Sequence, residues 1–196
     1  MRHWLNSYRI VGQAGLVELT SNENPLVLIK TPPGEIKVEI YEKKAPMTSA
    51  NFLRYVDDGL YDGTSFFRTV TMENQPNSEV KIEVIQGGTV PKDRAYPSTY
   101  PPIEHETTQM TGLKHVEGAI SMARMKPGSA TSSFFICIGD QPELDYGGNR
   151  NPDGQGFAAF GRVVAGMDAV REIHVQPYEG QRLQPPVEIL SVSRIN

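Results

Sequence analysis

The sequence predicts a mainly β fold, an antiparallel barrel or sandwich with two helices. Three observations carry this. The apolar runs are short, and most have Gly, Pro, Asn or Asp beside them. Only two segments have a convincing helical period. No regular strand–helix–strand alternation appears, which argues against a doubly wound parallel sheet. At 196 residues the chain suits one domain with a sizeable core.

The elements follow in order. Residues 1–24 show no firm period and are expected to be an extension of uncertain order, with a short strand over 15–19; the folded domain is expected over 25–196. PLVLIKT, PPG and EIKVEIYE predict strand, turn and strand, with Ile36, Val38 and Ile40 alternating against Lys37 and Glu39. APMTSANFLRYVDDG predicts the first helix: Pro46 suits its first turn, Gly59 its C-terminal end, and Phe52, Leu53 and Val56 one face. Further strands are expected over 65–70, 81–86, 118–123, 133–138, 157–164 and 187–195. GMDAVREIHV predicts the second helix, with Met167, Val170, Ile173 and His174 on one side. The loops 71–80, 89–117 and 139–156 are too long for simple hairpin turns.

Composition excludes several functional classes. A net charge of −4 and no Lys/Arg run give no footprint for nucleic acid or an anionic membrane. No run approaches the length of a transmembrane helix. The single cysteine, Cys137, rules out an intramolecular disulfide and sits in the apolar run FFICIG, where it serves as a small hydrophobe. The N-terminus lacks a signal-like apolar core, so the chain as it stands is expected in the cytoplasm, or in the periplasm or outside if a signal has been removed. NRNPDG resembles the start of a calcium loop, but position twelve is Phe160 and Pro152 interrupts the ligand run. EHE at 104–106 is short of metal ligands, and no pair of histidines has helical metal-site spacing. There is no G-x-S-x-G elbow, and nothing points to a Ser-His-acid triad.

A strand constellation remains. Arg68 lies in SFFRTV among Phe66, Phe67 and Val70, and a guanidinium there must reach a groove or be held by partners. Gln86 precedes Gly87 and Gly88, where the chain can turn sharply. SSFFICIG places Phe134 and Phe135 on opposite faces, one toward the core and one toward a surface or groove.

Together GEIKVEIYEKKAPMTSANFLRYVDDGLYDGTSFFRTV, VIQGG, GAISMAR, SSFFICIG, LDYGG, GFAAFGRVVAGMDAVREI and VEILSVSRI resemble the cyclophilin-type peptidyl-prolyl cis–trans isomerases, over roughly residues 26–196. The resemblance implies a closed eight-stranded antiparallel β-barrel capped by two α-helices, acting without cofactor or metal. It implies a monomer whose partners are proline-containing peptides and unfolded polypeptides. It assigns catalysis to Arg68, binding of the substrate backbone to Gln86, the floor of the proline pocket to Phe135, and a further wall to Leu144. Ala123 and Arg124 match the strand end that pairs with the extended peptide. The chain departs from the usual pattern at Glu83 and Val84, where an aromatic and a Met are common, and at Ser133 in place of a glutamine. Glu143 falls near the family's pocket tryptophan and Phe157 at its pocket histidine, so the walls of the pocket are altered more than its donor. LDYGGNRNPDGQGFAAFG resembles bacterial members more than human ones. An active isomerase is the first expectation, and a non-catalytic proline-peptide binding or chaperone-like domain the alternative. The long 71–80 stretch is either a surface insertion, since doubling a loop costs only about 0.6 kcal/mol, or a flap beside the groove.

Overall fold

The computed structural model describes residues 24–89 and 99–195; the strand expected over 15–19 lies outside them. β1 (Leu26–Thr31) and β2 (Gly34–Ile40) pair as a hairpin, and Ile36, Val38 and Ile40 are fully buried on one face, as their alternation requires. α1 (Pro46–Asp57) follows, then β3 (Thr64–Val70), β4 (Val84–Gly88), a short α2 (Thr108–Thr111), β5 (Ala119–Met122) and β6 (Phe134–Cys137). β7 (Ala158–Ala165), α3 (Met167–His174), β8 (Tyr178–Glu179), β9 (Arg182–Ile189) and β10 (Ser191–Ile195) complete the chain. All strands belong to one antiparallel sheet in the order β10-β1-β2-β7-β5-β6-β4-β3-β9-β8.

The expected closed eight-stranded barrel with two helices is corrected in three respects. Among the described residues the sheet has ten strands, its ends are not joined by a ladder, and there are three α-helices. The strand expected over 187–195 is two strands: β9 pairs with β3, β10 pairs with β1, and Leu190 between them donates its N–H to Lys30 O at 2.8 Å. The chain itself, and not a row of hydrogen bonds, therefore bridges the seam. β8 is a two-residue arm, too short to show alternation. Pro185 and Pro186 obscured the start of β9; they fall where the β3–β9 register jumps from Val187 to Arg182 and have no ladder partner. α2 is one turn long, closed by the Thr107 side chain accepting from Met110 N and by Gly112 at φ +71°, and one turn leaves no period to detect.

The main core is a cluster of rings. Phe52 and Leu53 of α1 meet Tyr61, Phe66, Phe134 and Phe160 from the sheet side. Asp57 ends α1, and Gly59 at φ +65° reverses the chain, with Leu60 N donating to Tyr55 O at 2.9 Å. The start of α1 has no local cap, because Ala45 has no side chain that could accept a hydrogen bond. Glu106 supplies one from a distant loop: its carboxylate accepts from Thr48 N at 2.7 Å, Thr48 Oγ1 at 2.6 Å and Met47 N at 3.2 Å. Glu106 is buried, so the orphan N–H groups would otherwise meet nothing. Glu106→Ala is expected to lower stability by about 2–3 kcal/mol, near the upper end for a cap and typical of a charge-assisted bond. A lower urea midpoint with an unchanged slope would show it; an unchanged midpoint would remove the cap from the account.

The segment expected as strand over 81–86 forms a ladder only from Val84. Residues 71–83 are a folded loop, because the Gln75 amide substitutes for a strand rung. Its Nε2 donates to Thr71 O and Ile82 O at 2.7 and 2.8 Å, and its Oε1 accepts from Ile82 N at 3.3 Å. At the tip, Arg150 donates to Ser78 Oγ and Val80 O at 2.7 and 2.6 Å.

Candidate active site

Arg68 leaves the core face of its strand through a β-bulge. The β3–β4 register shifts between Phe66 and Arg68, so that Phe66 opposes Gly87 and Arg68 opposes Gln86. Without the shift, residues two apart would point the same way; with it, Phe66 is fully buried in the core while Arg68 turns to the opposite face with Val70. Gly87 completes the fit, since a Cβ there would stand 2.8 Å from Cδ1 of Phe66.

The ladders then set a row across the sheet: Arg68 opposite Gln86, Gln86 opposite Phe135, and Phe135 opposite Ser121. Phe134 and Phe135 do face opposite ways, the first into the main core and the second into a separate apolar cluster. That second cluster gathers Val70, Ile82, Val84, Ala119, Phe135, Cys137 and Leu144, with Ala123 and Phe157 against it. It thus brings together the predicted wall residues Val84, Leu144 and Phe157, and Ala123 of the predicted peptide-pairing strand end, around the predicted floor. The Phe157 ring meets Phe135 edge-on, with centroids 5.2 Å apart. Cys137 is fully buried there, and burial raises its thiol pKa, so it behaves as a hydrophobe.

Arg68 is held by two neutral amides. Its Nη1 donates to Gln86 Oε1 at 2.8 Å, and its Nε and Nη2 both donate to Gln181 Oε1, at 3.0 and 2.6 Å. Among the described residues three of the five guanidinium N–H donors are used. Burial, and then the nearby positive charge of Arg150, pull the pKa of Arg68 below the usual arginine value, yet a guanidinium keeps its charge at neutral pH. On its far flank Arg68 lines a groove of about 590 Å³ with Phe67, Gln181, Arg182 and Pro186.

Arg124 is fully engaged. Its guanidinium binds Asp153 through two bonds of 2.8 and 2.9 Å, donates to Gly156 O, and lies 5.2 Å from the Phe157 ring centroid. Its side chain is 1 % exposed, which leaves the backbone as the part of Arg124 open to a peptide. Hydrogen bonding from Arg124 holds the Asp153 carboxyl at about 2. Of the altered positions, Glu143 turns back to accept from the N and Nδ2 of Asn149, and Ser133 donates to Thr89 O.

Sequence reasoning missed Gln181, which comes from a turn distant in the chain, and a buried Ser121–His115–Asp145 constellation. His115 Nδ1 donates to Asp145 Oδ1 at 2.8 Å, and its Nε2 accepts from Ser121 Oγ at 3.0 Å. The order is that of a hydrolytic triad, but Ser121 is fully buried and Phe135 stacks on the imidazole with centroids 5.9 Å apart. Ser121 is closed off from solvent, and the constellation packs against the Phe135 ring. Burial lowers the pKa of His115, against the raising effect of Asp145. Partial burial raises that of Asp145, but hydrogen bonds and charge from His115 and Lys114 prevail and lower it. Both shifts have the same sign for stability. The unfolded chain binds the additional protons, so stability is complete above about pH 6.5, falls as His115 would have to charge, and falls further below about pH 4 with Asp145. The urea midpoint is expected to drop between pH 7.5 and pH 5, and less so in His115→Gln; equal drops in the two proteins would contradict this.

A family model described as cyclophilin type peptidyl-prolyl cis-trans isomerase/CLD matches residues 26–194. A peptidyl-prolyl cis-trans isomerase of Acinetobacter baylyi is 35 % identical over 183 residues, 90 % of this chain and 89 % of that protein. Peptidyl-prolyl cis-trans isomerase A of Dickeya dadantii is 36 % identical over 168 residues, 82 % of this chain and 80 % of that protein. Among solved structures, a Cryptosporidium parvum cyclophilin type isomerase, determined in the presence of the dipeptide Ala-Pro, superposes with a TM-score of 0.71. That match covers 87 % of this chain and 99 % of that one at 21 % identity, a likeness of fold.

Proposed function

The chain belongs to the cyclophilin-type peptidyl-prolyl cis–trans isomerases and is an isomerase of X-Pro bonds, and from that premise we propose that Arg68 is its catalytic donor. The observation that carries this is the row Arg68–Gln86–Phe135, a fixed cation beside an amide and an apolar floor.

Rotation about the X-Pro bond breaks amide resonance, with a barrier of about 18–20 kcal/mol. No covalent bond is made or broken, so no nucleophile or electron carrier is called for. In the planar amide the prolyl nitrogen has no free lone pair. In the twisted state it regains one, and an N–H of Arg68 aimed there stabilises that state above both planar forms. Each ~1.4 kcal/mol of such preference raises the rate tenfold. Phe135, Val84, Leu144 and Phe157 supply an apolar pocket for the proline ring, Gln86 a partner for the substrate backbone, and the strand end at Ala123 and Arg124 an edge for the extended peptide. The amides around Arg68 are neutral, so they orient its charge without cancelling it. The substrates in this reading are proline-containing peptides and unfolded chains.

The test is cis–trans exchange of an Ala-Pro peptide followed by NMR, with the wild type and Arg68→Ala. Equal acceleration by the two proteins would end the assignment of Arg68.

A further inference from the structure

Loop 71–83 and the β8–β9 turn meet at one side chain, Gln181. Its Oε1 takes the Nε–H and Nη2–H edge of Arg68. Its Nε2 donates to the backbone O of Asn74 at 3.1 Å. The second bond fixes the first. A carboxamide can turn over, and then it would present N–H groups to a guanidinium that has only donors. The Asn74 carbonyl accepts only from the NH2 end, so it holds the oxygen toward Arg68. Asn74 is itself tied down: its Oδ1 accepts from Thr71 N at 2.9 Å and its Nδ2 donates to Thr69 O at 3.0 Å, one residue beyond Arg68 in the strand. The Gln75 rung closes the two legs of the loop beneath it.

We infer that Gln181 is a positioning residue for Arg68 and that loop 71–83 is the element that sets it. This rests on Arg68 being the catalytic donor. Gln86 alone grips one Nη and leaves the guanidinium free to swing about its long stem; the grip on Nε and Nη2 removes that freedom. The loop then acts as a strut behind the groove and not as a flap over it. A glutamine suits the task because a carboxylate in its place would neutralise the charge that the twisted amide is to meet, and would set oxygen against the Asn74 oxygen.

The experiment uses the full chain with Gln181→Met, which keeps length without hydrogen bonds, and Gln181→Asn, which keeps the amide one methylene short. Arg68→Ala and Gln75→Ala accompany them. Exchange of an Ala-Pro peptide, its Kd, and the NMR signal of the Arg68 Nε–H are read for each. Both Gln181 variants are expected to slow catalysed exchange about tenfold while Kd moves less than about twofold. The Arg68 Nε–H signal shifts or exchanges away in both, and it moves in the same direction in Gln75→Ala, which touches neither Arg68 nor Gln181. Unchanged exchange in both Gln181 variants, with Arg68→Ala inactive, would overturn the positioning role. A loss of binding in step with the rate would make Gln181 a substrate contact and also overturn it. An unmoved signal in Gln75→Ala would remove the loop. Wild-type activity in Arg68→Ala would instead defeat the reading of Arg68 itself.

Discussion

Arg68→Ala is expected to lower the catalysed part of Ala-Pro exchange by about 10²–10³-fold, or roughly 2.7–4 kcal/mol, the usual worth of a preorganised donor aimed at developing charge. Peptide Kd should change far less, because the apolar cluster around Phe135 is untouched and the donor acts on the twisted state. The split matters: a fall in kcat/KM carried by kcat marks a transition-state contact, whereas a rise in KM alone marks ordinary binding. Arg68→Lys should recover little of the loss. An ammonium has the charge but lacks the planar fork that meets Gln181 Oε1 on one edge and Gln86 Oε1 at Nη1.

The largest effect on stability is expected at Phe134→Ala, about 3–5 kcal/mol. Phe134 is fully buried and meets Phe52, Tyr61 and Phe66 nearly at right angles, with centroids 5.5, 5.4 and 5.9 Å away. Three edge contacts converge on one ring, so removing it leaves a void that none of the three can fill without leaving its own partners. For a domain of this size the melting temperature should fall on the order of 10 °C. A loss below about 1 kcal/mol would mean that the cluster collapses onto the gap. Phe135, one residue further on, faces the other cluster, so the same truncation there strikes the site before the core.

Local pattern made much of this legible. Ile36, Val38 and Ile40 alternate in the sequence and are buried in the structure, and Pro46 and Gly59 bracket α1 as their backbone preferences require. Met167, Val170, Ile173 and His174 predicted the inner side of α3, and the buried His174 docks on β3, its Nε2 donating to Val70 O at 3.0 Å. Arg68 and Gln86 stand out separately in the sequence, and the structure bonds them directly across the long loop between their strands. What escaped was set by distant partners. The bulge that re-aims Arg68 depends on Gly87 and on the register of β9, and SFFRTV carries no mark of it. Residues 81–83 alternate like a strand, but the backbone N–H and C=O of Ile82 go to the Gln75 side chain instead of a ladder. Glu106 stands in the sequence only as one acid of EHE, because the helix it caps lies some sixty residues earlier. The His115 triad joins residues that no spacing rule links.

The seam at Leu190 bears on how the molecule is made. Among the described residues one edge of β1 is paired by β10, with Leu26 opposite Ile195 and Lys30 opposite Ser191, about 160 residues further along the chain. Until residues 191–195 dock, that edge offers bare N–H and C=O groups to any passing strand. Hairpins such as β1–β2 need only local contacts, but the roll of the sheet must wait for β10 to return to β1. Such long-range closure is slow and exposes sticky intermediates. Closing the β1–β10 seam is thus a late event in folding, and the bare edge of β1 is most vulnerable in the moments before β10 docks on it.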